Sequence, residues 1–589
     1  MSEKCKIDYS NEACQKIKRD DGLVMTTIRR YTFRDFVDAI EAKYSNMRAY
    51  TVLGHEDELS FTYSLLAKKV RSSSQYLLDL GIKKGDRVCI FAESSPMWMI
   101  FYLALTCIGA IAVPILPGFS GKDAAVAMQD SNCKAICAQR KTYESVQDYV
   151  KENKLLVFRM DDLFHIPSEI AEKIGSEYTF GNAPGRDITR TKAKLKELQE
   201  IELDESDIAS IIYTSGTTGA SKGVVLTHMN LLRNADRAVF AYAISSPGWR
   251  VLSILPMSHV YEFSLGHLLT LMSGFEIYFL GRPVAVSILL PALKSVRPNV
   301  MMTVPLIIEK VYKAAVAPLI TNGGKYEKLY SNKLTRKLIA RIIGKKLLEA
   351  FGGQLKFFGI GGSALDLEVM KFLTLANFPY ALGYGLTETS PHIAGNGPLT
   401  HCYPYVGKPN PDADMKLINV NSEGVGEIVV KGPQVMKGYY NNDELNKESF
   451  TEDGYFKTGD LGFFSKDGYL ALKGRVKTMI LGPSGENIYP EQIESVINNM
   501  PYVDESLVVE QDGCLTGLIK INRDLFMKKE KVEDVDVAIE EYVKSLRPRI
   551  NKELSRQNRL DAVFVQKEEF EKTSTQKIKR YLYPKKRAN

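Results

Sequence analysis

Between Tyr213 and His228 the chain reads YTSGTTGASKGVVLTH, directly after the apolar run IASIIYT. Gly216, Gly219 and Gly223 let the backbone turn sharply and approach a ligand closely. The hydroxyls of Thr214, Ser215, Thr217 and Thr218, the free backbone N–H groups and the ammonium of Lys222 suit the oxygens of a polyphosphate. It is not a Walker A loop, which needs four residues between its first glycine and a Gly-Lys pair. A flexible Ser/Gly/Thr linker has a similar composition. A linker rarely sits between an apolar strand and an apolar helix, which is what these flanks predict.

Three further segments carry chemistry-bearing groups. Gly359 to Leu365 reads GIGGSAL and Gly383 to Pro391 reads GYGLTETSP. Taken alone, the second segment reads as a turn with a capped helix start. Tyr455 to Leu461 is YFKTGDL and is followed by GRVKTMI. Taken individually, the Gly-Asp pair at Asp460 and the Gly-Arg pair at Arg475 are common in turns. Near the C-terminus stands EKTSTQKIKR, and from its Lys572 to the end there are seven Lys or Arg and no acid. On composition that tail is equally a solvated basic end.

In this order, across nearly the whole chain, these segments resemble the adenylate-forming superfamily of acyl-CoA synthetases, adenylation domains and luciferases. The resemblance implies an ATP site made of Thr214, Ser215, Gly216, Thr217, Thr218, Gly219 and Lys222 for the phosphates. Gly362, Ser363 and Ala364 then line the adenine pocket, and Tyr384, between Gly383 and Gly385, stacks on the base. Thr387 contacts the α-phosphate, Glu388 with Thr214 holds Mg2+, and Asp460 and Arg475 hold the ribose. Lys477 is the hinge of a small domain, and Lys577 completes the adenylation site. Two positions depart from the usual pattern: Ser221 stands where proline precedes the loop lysine, and Gln576 where glycine precedes the last lysine.

The implied reaction is attack of a carboxylate on the α-phosphate of ATP, with loss of pyrophosphate, followed by acyl transfer to a thiol. Such chemistry needs positioning and charge neutralisation rather than a covalent nucleophile. Rotation at Lys477 then moves Lys577 aside for the second step. Leu255 to Glu262, LPMSHVYE, is similar to the His-aliphatic-aromatic-Glu run of long-chain acyl-CoA synthetases. It implies a fatty acid substrate, His259 as a catalytic group, and Tyr261 with Gly361 at the acyl pocket. A strand end with a core histidine is the plainer alternative. The run NVMMTVPLIIEKVY suits an acyl tunnel or a buried core. The expected small molecules are a fatty acid, ATP, Mg2+ and coenzyme A as a substrate, with an acyl carrier protein as the alternative thiol. No carrier domain is expected after Lys577, and no nucleic-acid partner. A non-catalytic acyl- or nucleotide-binding protein is the reading that loss of Lys222, Glu388, Asp460 or Lys577 would have favoured.

The elements that must position these groups are legible in the texture of the chain. Short β-rich runs (RVCIFAE, AIAVPI, KAICAQ, VLSILP) alternate with helical stretches, which predicts parallel sheets covered on both faces. After about Asn410 the strands become short, alternating and separated by Gly, Asn and Asp. From about Thr478 a compact α+β unit follows, with a helix from Val535 to Leu554. The expectation is an α/β fold. A large N-terminal domain of α/β-layered sheets with a β-rich subdomain spans 1–475, and a small mobile α+β domain spans 476–589.

With 589 residues, 45% hydrophobic and 25% charged, the chain reads as globular and multidomain rather than disordered or fibrous. The formal net charge of +7 admits an acidic partner, an anionic membrane surface or a polyanionic substrate. Eight cysteines are scattered, and the one close pair, Cys133 and Cys137, has no histidine near it, which predicts free buried thiols in a reducing compartment rather than a zinc site. The polar N-terminus is not a signal peptide. Met97 to Phe119 is long enough to span a bilayer, but Gly109, Pro114 and Pro117 predict a buried helix and a short strand instead. A cytoplasmic protein, touching the inner face of a membrane, is the expected setting.

Overall fold

The computed structural model describes residues 28–56, 59–215, 221–242, 246–282, 285–321, 323–481, 487–511, 513–530, 534–573 and 577–583. Gly216, Thr217, Thr218, Gly219, Gln576, Cys5, Cys14 and the basic tail beyond Tyr583 lie outside them.

Two nine-stranded sheets form the bulk of the N-terminal part. The first runs through Gly438–Tyr439, Ser221–Thr227, Ile208–Ser215, Ile111–Pro114, Arg87–Phe91, Ala135–Ala138, Leu156–Arg159, Phe164–Ile166 and Arg186–Asp187. The second runs through Lys408–Pro409, His392–Gly395, Tyr380–Gly385, Phe357–Ile360, Val300–Thr303, Arg250–Ser253, Glu276–Phe279, Arg48–Val52 and Ser60–Thr62. Both are parallel at the centre and antiparallel towards the edges, with helices between successive strands. Their central strands are buried on both faces, which is why they read as continuous apolar runs. After Asn410 the chain forms an antiparallel sheet of Asp414–Ile418, Gly426–Lys431, Phe456–Phe464 and Leu470–Arg475.

The apolar run from Met97 is core. Ser95 caps the helix Pro96–Cys107 by accepting from Trp98 N, proline opens it, and all twelve of its residues are buried. Gly109, at φ +72°, turns the chain into the strand Ile111–Pro114. Among the described residues no helix is long and apolar enough to cross a membrane. Cys89, Cys107, Cys133 and Cys137 are buried and free. Burial pushes the Cys107 and Cys133 thiols up to about 12, which removes them as nucleophiles at neutral pH.

A separate core built from Ile493, Ile497, Leu546 and Ile550 organises the C-terminal part. Its three strands are Val503–Gln511, Cys514–Ile521 and Ala562–Val565, backed by the helices Pro490–Asn498 and Val535–Glu553. The first of these helices docks on the N-terminal part. Asn499 Nδ2 and Ser495 Oγ donate to Asp366 Oδ2 at 2.6 and 3.2 Å, and Lys313 Nζ donates to the Asn498 carbonyl at 2.8 Å. Asp366 directly follows the GIGGSAL segment, and its other oxygen caps the helix Leu367–Ala376.

Candidate active site

The chain after the Ser/Gly/Thr loop is a strand, not the helix expected there. Ser221–Thr227 pairs antiparallel with Ile208–Ser215, setting Lys222 opposite Thr214, and the helix begins only at His228. Val224, Val225 and Thr227 are β-branched and suit a pleated sheet. The strand ends where Thr227 and Asn230 cap one another, at 2.8 and 3.1 Å. Its other edge pairs with Gly438–Tyr439.

That pairing brings in a residue that no sequence motif singles out. Lys222 Nζ donates to the Tyr439 hydroxyl at 2.6 Å, which donates to Glu388 Oε1 at 2.8 Å. Lys222 Nζ also lies 3.2 Å from the same carboxylate oxygen and 4.1 Å from the centre of the Tyr439 ring. Burial and the charge of Glu388 raise the Tyr439 phenol, so it stays a donor. Glu388 sits in a single tight turn, Thr387–Thr389, whose entry Thr389 Oγ1 holds by accepting from Leu386 N at 2.9 Å. A methyl group on Gly385 would fall 1.7 Å from the Pro391 carbonyl oxygen, so only glycine permits this turn to close. Thr387 is half-buried beside it.

Among the described residues no three His, Cys, Asp or Glu side chains converge on one point. A dication therefore has no all-protein cage here. The donor set fits Mg2+ held by one carboxylate with the remaining oxygens from a nucleotide. Glu388 is the carboxylate, and Thr214 Oγ1 is buried with no partner among the described residues.

A second cluster lies at the end of the antiparallel sheet. Asp460 and Arg475 are cross-strand partners, and Arg475 Nε donates to Asp460 Oδ1 at 2.7 Å. The Tyr384 hydroxyl donates to Asp460 Oδ2 at 2.9 Å. Both acceptor oxygens thus already have a protein donor. Burial raises the Asp460 carboxyl, with Arg475 and Lys577 opposing the shift. Gly362, at φ +91°, Ser363 and Ala364 are exposed on the adjoining loop, and Gly383 packs on His392. Lys477, also exposed, lies two residues beyond Arg475.

The C-terminal part contributes Lys577 to the same place. Its loop is closed by Thr573 N donating to the Lys577 carbonyl at 2.8 Å and Lys577 N donating to Thr573 Oγ1 at 3.2 Å. The ends are pinned by Lys572 to Glu505 at 2.7 Å and by Arg580 to the buried Glu494. The side chain keeps access to solvent while protein surrounds it. Desolvation and Arg475 lower its ammonium pKa, with Asp460 and Glu388 opposing. The charge of Lys577 also reaches His259, where burial first and then Lys577 push the imidazole down to about 4. His259 Nδ1 accepts from Tyr261 N at 3.2 Å, which leaves the proton on Nε2.

Tyr261 lies over the GIGGSAL backbone. A methyl group on Gly361 would stand 3.1 Å from its ring, and its hydroxyl contacts Met302 Sδ at 3.7 Å. The last residue of the HVYE run turns away from the cleft. Glu262 is buried in the core, accepts from Ser253 Oγ at 2.6 Å and lies 3.6 Å from His267.

The family model described as AMP-binding enzyme matches residues 37–440, more than half of the chain. The protein is 29% identical over 480 residues to the peroxisomal long chain acyl-CoA synthetase 6 of Arabidopsis thaliana, covering 76% of this chain and 66% of that enzyme. It is 25% identical over 567 residues to the chloroplastic long-chain-fatty-acid–[acyl-carrier-protein] ligase AEE15 of the same plant, covering 84% of this chain and 76% of that one. The ATP-bound crystal structure of MatB from Rhodopseudomonas palustris superposes with a TM-score of 0.70 at 21% identity, over 94% of this chain and 98% of that one.

Proposed function

The chain belongs to the family of AMP-binding enzymes, and on that premise we propose that it is an AMP-forming acid–thiol ligase acting on a fatty acid. It joins the acid to ATP as an acyl-adenylate and then transfers the acyl group to coenzyme A. The observation that carries this reading is the convergence of Lys222, Glu388, Asp460 and Arg475 from the N-terminal part with Lys577 from the C-terminal part.

In the first step an oxygen of the acid bonds to the α-phosphorus while the bond to the departing pyrophosphate breaks. Asp460 and Arg475 hold the ribose, and Lys222 faces the leaving phosphates. Lys577 neutralises charge that builds around the α-phosphate, in a cleft where a fixed cation acts more strongly than in water. Neutral His259 donates through Nε2 to the acid rather than protonating it. Glu388 and Thr214 are the side chains that would hold Mg2+, which neutralises phosphate charge when bound. In the second step the thiol sulfur attacks the acyl carbon, the bond to the phosphate oxygen breaks, AMP leaves and the thiol proton is released. We assign residues 1–475 and 476–589 to two domains that turn about Lys477 between these steps.

Long-chain specificity is supported by the names of the relatives and by the packing of Tyr261 over Gly361. The phosphopantetheine arm of an acyl carrier protein is the second acceptor, supported by the likeness to a ligase of that kind. A cytoplasmic setting at a membrane face is in keeping with the free buried thiols and the basic charge. The test is AMP and thioester formation with ATP, Mg2+ and coenzyme A across acids from acetate to stearate. Thioester peaking at long chains is the expected result. AMP without thioester would redirect the acceptor to a carrier protein, and no AMP with any acid would overturn the reading.

A further inference from the structure

The helix Arg336–Ala350 has a conventional inner face, on which Ile339, Ala340, Ile343 and Leu347 are buried. Its outer face is not conventionally polar. Leu338 and Ile342, one turn apart, are 60% and 42% exposed, and Leu334 in the preceding turn is 91% exposed. At the helical period, Lys337 and Arg341 flank that apolar row on one side and Lys346 on the other, with Lys345 inside it. These four cations are exposed, and among the described residues none of them forms an ion pair. From Lys325 to Glu349 there are eight Lys or Arg against two Glu, a local excess of six positive charges.

Single exposed leucines need no explanation. A row of them bordered on both sides by unpaired cations is a different object. Lysine and arginine stems can lie along apolar surface while their charged ends reach outward. That combination matches a helix lying in the plane of a bilayer interface, with leucines among the acyl chains and cations at the anionic headgroups. Each Lys or Arg close to such a surface strengthens binding about fivefold.

We propose that the face carrying Leu334, Leu338, Ile342, Lys337, Arg341 and Lys345 docks the protein on an anionic phospholipid surface. The docking stands on this face alone and does not require the ligase reading. With a fatty acid as substrate it places the enzyme where that acid partitions.

The test is sedimentation of the full chain with phosphatidylcholine vesicles, with and without phosphatidylserine, in the absence of substrates. Binding should be about tenfold or more stronger with phosphatidylserine and should weaken with salt. The variant Lys337→Glu/Arg341→Glu/Lys345→Glu and the variant Leu334→Ser/Leu338→Ser/Ile342→Ser should each lose about tenfold or more of that binding. Unchanged melting temperatures would show that both variants are folded. Removal of residues 584–589 should leave binding intact. Charge-reversed protein that still sediments, binding abolished by the tail truncation, or concentration-dependent self-association through this face would each overturn the proposal.

Discussion

Lys222 Nζ lies 3.2 Å from Glu388 Oε1 although the two residues are far apart in sequence, one on a strand beside the phosphate loop and the other in a tight turn. The hydroxyl of Tyr439 donates to that same oxygen. The groups assigned to the leaving phosphates and to the metal are therefore linked to each other through Tyr439 and a shared carboxylate oxygen.

Tyr439→Phe removes the hydroxyl that joins them. A buried hydrogen bond to a charged group contributes about 1.5–3 kcal/mol. The expected outcome is a KM for ATP raised about tenfold and a higher Mg2+ concentration for half-maximal rate, read by acid-dependent ATP–pyrophosphate exchange. A lower melting temperature with an unchanged Mg2+ curve would confine Tyr439 to a structural role.

Lys577→Ala should lower acyl-adenylate formation by roughly a hundredfold or more, the usual effect of deleting a preorganised charge-stabilising group. Preformed acyl-adenylate should still acylate coenzyme A at close to the normal rate. Single-turnover measurements of each half-reaction separate the two. Equal loss in both would remove the assignment of Lys577 to the first step alone.

The pH dependence follows from the environment of the same residue. The Lys577 ammonium is held below its usual pKa by desolvation and Arg475. A step that needs the cation is intact below that lowered pKa and is lost as pH rises through it. The alkaline limb of adenylation should thus begin earlier than for an ordinary lysine, and Lys577→Arg should move it upward. His259, titrating at about 4, stays neutral through the neutral range and contributes no limb there. An acid limb near neutrality that disappears in His259→Gln would contradict this.

Asp366→Ala breaks the contact with Asn499 and Ser495 that ties the C-terminal part to the loop after GIGGSAL. It should slow adenylation several-fold to about tenfold, the range expected for one charge-assisted hydrogen bond. Acyl transfer from preformed adenylate should be unaffected or faster. The same Asp366 caps a helix, so Asp366→Asn, which can retain a capping oxygen, is the companion variant. Equal losses in the two half-reactions for Asp366→Asn would show that the contact serves stability alone.

Much of this protein was readable from local chemistry. A run such as AIAVPI must be a buried strand because its apolar side chains have no other use, and Gly109 and Pro114 bar a membrane helix through the same stretch. The order of the segments carrying Lys222, Glu388, Asp460, Arg475 and Lys577 pointed to nucleotide chemistry through their resemblance to a known family, since a Gly-Asp or Gly-Arg pair alone fits an ordinary turn. Tertiary structure alone decided the rest. Whether Val224 and Val225 continue a strand or start a helix depended on a partner edge, Gly438–Tyr439, more than two hundred residues away. That pairing brought Tyr439 to Lys222. That Glu262, the last residue of the HVYE run, lies in the core depended on Ser253 and His267 standing beside it. The Asp366 latch and the exposed row on the Arg336–Ala350 helix depend on which faces other elements cover. Local sequence specifies which groups can do the chemistry, but contacts between distant segments cost chain entropy that only the whole packed fold offsets.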